Sequence, residues 1–398
     1  MSDGGQPAVV NRLLLSNSNS DSASTSSSYP YAYLTTNTCS LDFTDLKNRE
    51  KVVVHELAEE ELGTLKASGS SSSMGWRDVP FGAPSVASLK ETLMAETNGI
   101  NGLESVDHED VQRAAKLFYR DGFVVVADVV PEDILNELKE ACMSLVRSMV
   151  RCDAHRKGNR GSHRYSFSEA FESGSCLHLR PWARLVDMPR LTPVLQHIFD
   201  SPDYRLAGAG GDFVLPGAIG YQPLHTDLND RVAYKSSEGG AEVHGAFRDP
   251  RGILTVRDLP CPFLSCNVVL ENIDRLDGPM RHIPGTQHSR EATPSLSDEP
   301  AWMRFSTLCP LRAASVIIRD VRAWHGGTPN LSDNTVRILP NVEFFAPWYR
   351  ERIARPLMPL EVWRSDALSD YARELSRDVV EVAGEIEVDV RFSDTVAY

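Results

Sequence analysis

The tripeptide His225-Thr226-Asp227 offers an imidazole and a carboxylate two residues apart. At the end of a β-strand residues i and i+2 point to one side, so the two groups can act together as metal ligands. His325 adds a third donor, and two imidazoles with one carboxylate make a facial set suited to non-haem iron, with positions left for a cosubstrate and dioxygen. Arg337, twelve residues after His325, carries a planar fork able to hold the far carboxylate of such a cosubstrate.

Each of these residues also has an ordinary use. A His and an Asp two apart often hydrogen-bond in a loop, a histidine beside glycines sits on many surfaces, and a single arginine most commonly makes a salt bridge. The chain supplies its own control. His108-Glu109-Asp110 has the same spacing, but it falls in the first turn of an expected helix, where residues two apart diverge. His225-Thr226-Asp227 instead follows the strand-like stretch 218–224 and precedes a polar loop. His325 closes the apolar run 315–318 ahead of an expected glycine turn at Gly326-Gly327, a place from which one ring nitrogen can face a metal while an acceptor orients the other.

The elements that would position these groups follow from periodicity. Ser105 or Asp107 is placed to cap a helix with Val111, Ala114, Ala115 and Phe118 on one side, ended by Gly122. Residues 123–126 read as a strand, and Pro131 suits the first turn of a second helix whose Ile134, Leu138, Cys142, Val146 and Met149 form a sheet-packing face. A basic run, Arg147 to Arg164, reads as a solvated face, with an anion-binding patch containing Arg160 and Arg164 as the alternative. Residues 206–220 lead as loop and strand into the His225 motif. The polar, glycine-rich insertion 228–262 has the character of a lid or binding loop, and strands are expected at 263–270, 315–318 and 336–345. Pro340 inside the last of these implies a bulge or an edge. Helices followed by several short strands predict a mainly β fold with flanking helices, a barrel or sandwich.

With 398 residues, 41% hydrophobic and 24% charged, the chain can build a sizeable core. A net charge of −14 disfavours nucleic acid and anionic membrane as partners. Seven cysteines without framework spacing read as reduced, partly buried thiols. No run of eighteen apolar residues occurs, the cytoplasm is the default compartment, and the serine-rich start leaves organellar targeting open. Residues 1–85 read as a largely disordered serine-rich segment, 86–363 as the folded domain, and 364–398 as an acidic extension packed on it or trailing from it.

Four stretches in order resemble the phytanoyl-CoA dioxygenase family of iron(II) and 2-oxoglutarate-dependent oxygenases: DGFVVVADVVPEDILNELKEA, the HTD, DGPMRHIPGTQHS at Asp277–Ser289, and WHGGTPNLSDNTVR at Trp324–Arg337. The resemblance implies a double-stranded β-helix, jelly-roll and cupin-like, buttressed by N-terminal helices. It implies Fe(II) held by His225, Asp227 and His325, with 2-oxoglutarate anchored by Arg337 and O2 as co-reactant. The arginine lies twelve residues after the histidine here, where many relatives have it eleven after. Thr328, Asn267 and Gln222 are further cosubstrate candidates, Gln222 needing a bulge at Pro223 to share a face with His225. His282 and His288 read as structural or as supports around the ligands rather than as ligands themselves, and Arg281 joins Arg160 and Arg164 as a candidate substrate contact. The expected reaction is hydroxylation of a small-molecule partner of acyl-CoA, amino-acid or natural-product type, with release of succinate and CO2; the oligomeric state stays open. A cupin-like sensor or scaffold that binds metal without turnover is the rival reading.

Overall fold

The structure is a computed structural model that describes residues 75–76, 82–153, 155–171, 173–228, 233–235, 242–244, 249, 251–350 and 357–380. Its main sheet has seven strands in the order β1-β2-β9-β7-β11-β4-β3. These are β1 (Ser105–Asp107), β2 (Phe123–Ala127), β3 (Arg164–Ser166), β4 (Arg205–Val214), β7 (Phe263–Val268), β9 (Val316–Asp320) and β11 (Arg337–Phe345). A short hairpin, β5 (Ala233–Lys235) with β6 (Glu242–His244), lies in the insertion. The second sheet is built on β8 (Met280–His282) and β10 (His325–Gly327). Isolated bridges widen it: His225 and Ala218 pair with His325 and Asn330, and Arg281 pairs with Thr307.

The two sheets face each other as a jelly-roll, a double-stranded β-helix. Alternation along each strand divides the main sheet. Val316 and Ile318 of β9, Cys266 of β7 and Val342 of β11 join the large core under the helices, whereas Ile317 and Leu339 turn inward and pack with Phe123 and Leu308 between the sheets. Helices α1 (Pro84–Met94), α2 (Val111–Asp121) and α3 (Glu132–Cys152) precede the barrel. Residues Ala114, Phe118, Leu138, Cys142 and Val146 of α2 and α3 cover the outer face, as their spacing requires.

Several local expectations are corrected. Ser105 and Asp107 belong to β1, parallel to β2; the α2 cap is Asp110, whose side chain accepts from the Arg113 N–H. His108 therefore lies in the turn before the helix, with its neighbour Asp110 occupied as the cap. Gly122 does end α2, in the left-handed conformation at φ 81°. Pro340 makes neither an edge nor a bulge. β11 lies between β4 and β7, the β7 ladder begins at Asn341, and the register shift falls later, between Glu343 and Phe344. Proline thus sits just outside the β7 ladder, where no N–H is required of it.

The basic run is not one solvated face. Arg156 is buried and donates to the Val150 carbonyl (3.1 Å), and Arg164 enters the barrel as part of β3. Trp76, inside the stretch expected to lack structure, is buried and donates its indole N–H to the Ser332 carbonyl (3.1 Å). Leu368, Ala372, Leu375 and Val379 of the C-terminal stretch complete the large core. Of the insertion expected as a lid, residues 229–232, 236–241, 245–248 and 250 lie outside the described residues. The six cysteines among the described residues are all buried. No helix among these residues is long and apolar enough to cross a membrane.

Candidate metal centre

His325 opens a strand rather than closing one. β9 ends at Asp320, residues 321–324 cross between the sheets, and β10 starts at His325. Gly326 and Gly327 are then strand residues where side chains would collide: a Cβ on Gly327 would lie 2.5 Å from Arg164 Nη1 and 2.8 Å from Gln222 Oε1. The stretch 218–224 is extended but largely unpaired, as Pro223 and Gly220 interrupt it. His225 and His325 exchange both backbone hydrogen bonds (3.0 and 3.1 Å), while Gln222 N–H bonds to the Gly327 carbonyl (3.0 Å). Between these pairs, Pro223 and Leu224 oppose the single Gly326, which is the bulge at Pro223 that the Gln222 parity required.

This pairing puts the two imidazoles side by side, with ring centroids 4.3 Å apart. His225 Nδ1 lies 3.0 Å from the Pro223 carbonyl and His325 Nδ1 3.0 Å from the Ala323 carbonyl. A carbonyl only accepts, so both Nδ1 atoms carry the proton and both Nε2 atoms keep a lone pair. Those lone pairs face Asp227 Oδ1, at 3.8 Å from His225 and 3.5 Å from His325. Among the described residues these three form the only group able to hold a metal ion, their donor atoms lying within 4.8 Å of one another. Burial, then the neighbouring His325, pushes the His225 imidazole down to about 3, against the opposing pull of Asp227, so it is neutral.

Arg319 completes the centre, and the sequence reading did not single it out. Its Nη1 donates to Asp227 Oδ2 at 2.5 Å, leaving Oδ1 as the oxygen turned to the histidines. Burial alone would raise the Asp227 carboxyl; the Arg319 charge and His325 outweigh it and hold the group well below the usual carboxylate range. Arg319 Nε also lies 3.4 Å from Asn267 Oδ1, which brings Asn267 to the same site. Arg319 shares the inward parity of Ile317 in β9.

Arg337 and Arg164 form a second feature. Arg337 Nε donates to the Gly278 carbonyl (3.1 Å), and Arg164 Nη2 donates to the carbonyls of Gly220 and Thr328 (2.7 Å each). Both are buried, and among the described residues neither makes a salt bridge. Burial lowers Arg337 to about 10, partly offset by Asp212. Burial and the Arg337 charge lower Arg164 to about 9. Two buried guanidinium groups with so little compensation make a place for an anion.

The remaining candidates are placed as follows. Thr328 Oγ1 donates to the Pro279 carbonyl (2.6 Å), and Gln222 Oε1 accepts from Gly327 N–H (2.9 Å). Arg281 is fully buried with Nη1 on both Glu299 oxygens (2.9 and 3.0 Å) and Nη2 on the Gln222 carbonyl (2.6 Å). Arg160 pairs with Glu169 (2.9 Å). His288 Nδ1 donates to the Arg257 carbonyl (2.6 Å).

A family model described as phytanoyl-CoA dioxygenase (PhyH) matches residues 118–338. No curated protein sequence matches the chain. Among solved structures, AviO1 from Streptomyces viridochromogenes is 19% identical, with 61% of this chain and 97% of that chain covered, at a TM-score of 0.38. The epimerase SnoN, described in complex with Fe3+, alpha ketoglutarate and nogalamycin RO, is 18% identical over 60% of this chain and 84% of that chain, at 0.40. HygX from Streptomyces hygroscopicus, described with nickel, 2-oxoglutarate and hygromycin B bound, is 17% identical over 70% of this chain and 97% of that chain, at 0.39.

Proposed function

The chain belongs to the phytanoyl-CoA dioxygenase family, and on that premise we propose that it is an Fe(II)- and 2-oxoglutarate-dependent oxygenase that hydroxylates a small molecule. The observation that carries the reading is the convergence of two Nδ1-anchored imidazoles and one oxygen of Asp227, with a buried pair of unbridged arginines in the same barrel. Two neutral nitrogens and a carboxylate oxygen on one side fit divalent iron and leave room for exogenous ligands. Bound there, iron with 2-oxoglutarate and dioxygen supplies oxidative decarboxylation to succinate and carbon dioxide, and oxygen for the substrate.

The chain's own residues do the positioning. His225, Asp227 and His325 hold the metal, and Arg319 fixes Asp227 so that one oxygen is presented. Arg337 binds the distal carboxylate of 2-oxoglutarate, assisted by Arg164. Asn267 and Gln222 border the cosubstrate, whereas the Thr328 hydroxyl is committed to Pro279 and acts through the backbone it steadies. Arg281 and Arg160, engaged with carboxylates of the chain, are assigned to the scaffold. The substrate class is an acyl-CoA, an amino acid or a natural product.

Purified chain supplied with Fe(II), oxygen, 2-oxoglutarate and a metabolite extract should form succinate and add one oxygen atom to a component of that extract. Metal and 2-oxoglutarate binding with no succinate above background in any extract would favour a sensor or scaffold instead.

A further inference from the structure

Three imidazoles stand in a row on the barrel-facing side of the smaller sheet. His325 is the backbone partner of His225 on one side and of His282 on the other. Residues directly opposed across strands share a face. The His282 ring is accordingly stacked beside His325, centroids 5.4 Å apart and 21° between planes, with Phe123 4.9 Å away. Its backbone is pinned from the next strand, the N–H on the Ser306 carbonyl (2.9 Å) and the carbonyl taking the Ser306 hydroxyl (2.6 Å).

His282 is fully buried, yet neither ring nitrogen has a hydrogen-bond partner among the described residues. Every other described histidine nearest the centre has its Nδ1 anchored on a carbonyl. An orphaned buried polar atom costs stability, and phenylalanine would fill the same space beside Phe123 without that cost. Packing alone therefore does not account for an imidazole here, and a neutral imidazole has one N–H to give.

Resting on the oxygenase reading above, we propose that His282 is a cosubstrate-binding residue that donates its ring N–H to an oxygen atom of 2-oxoglutarate seated at the His225, Asp227 and His325 centre. It is the one polar side chain of the imidazole row with no partner among the described residues, and it stands beside a ligand histidine rather than on it. The bond is distinct from the carboxylate clamp at Arg337, which lies on another strand.

The test is an anaerobic titration of the full Fe(II)-loaded chain with 2-oxoglutarate, read by the visible charge-transfer band, for the wild type, His282→Phe and His282→Gln. Calorimetric Fe(II) binding without cosubstrate and thermal unfolding accompany it. His282→Phe should unfold no lower than wild type and bind Fe(II) within about twofold, but require about tenfold more 2-oxoglutarate, the size of one lost hydrogen bond, with a displaced band. His282→Gln, which restores a donor, should recover part of that loss. A wild-type band that His282→Phe leaves unchanged in position and midpoint overturns this assignment alone. Loss of Fe(II) binding in the phenylalanine variant also overturns it, since the ring would then serve the metal or its ligands. A wild type that binds Fe(II) but gives no band overturns the oxygenase reading, and this assignment with it.

Discussion

At the scale of single residues, the centre depends on which atom of each ligand is free. Two backbone carbonyls take the Nδ1 protons, and Arg319 takes Oδ2 of Asp227, so three lone-pair donors are left converging. Removing an outer partner of this kind typically weakens metal binding about 10- to 100-fold. Arg319→Met is therefore expected to lower Fe(II) affinity in that range by calorimetry, whereas His108→Ala leaves it unchanged. Unaltered affinity in Arg319→Met would show that Asp227 orients itself. The ligands were legible in the sequence because their chemistry is local: a histidine and an aspartate two apart, and a histidine ahead of two glycines. Arg319 and His282 were not, since each matters only through a neighbour on another strand.

At the scale of elements, the site is made by a close approach between an irregular segment and β10. A bulge at Pro223 was the condition that side-chain parity set for Gln222 to share a face with His225, and the structure has it between those two residues. The glycines were misplaced in a turn because proximity to Arg164 and Gln222 is a tertiary fact that local turn preference cannot report. Gly327→Ala should cost about 1–3 kcal/mol in denaturant unfolding, because the new methyl meets the buried Arg164 guanidinium and the half-buried Gln222 amide, both held by hydrogen bonds. Gly220→Ala, with nothing within 4 Å of the added carbon, is the matched control and should be near neutral. Equal effects of the two would refute the crowding argument. The α2 cap was missed for a related reason: pairing with β2 drew Ser105–Asp107 into a strand and passed the capping role to Asp110.

At the scale of the whole molecule, one jelly-roll carries the centre between its sheets and buries its outer face under helices. The segment boundaries were less legible than the fold, because serine-rich composition says nothing about a single tryptophan. Trp76 packs near Leu331 and bonds to Ser332, just beyond the turn that follows β10. Trp76→Ala should lower stability by about 3 kcal/mol, within the usual range for a buried tryptophan, with little change in metal affinity. A variant as stable as the wild type would mean that this residue only rests on the surface. The central claim, that His225, Asp227 and His325 hold a metal to which 2-oxoglutarate binds, is tested most directly by adding Fe(II) and then 2-oxoglutarate to the purified chain without oxygen. The account predicts a weak visible charge-transfer band in the wild type and in His108→Ala, and none in His225→Ala or Asp227→Ala. A wild-type chain without the band, or a His225→Ala variant that keeps it, would contradict the account.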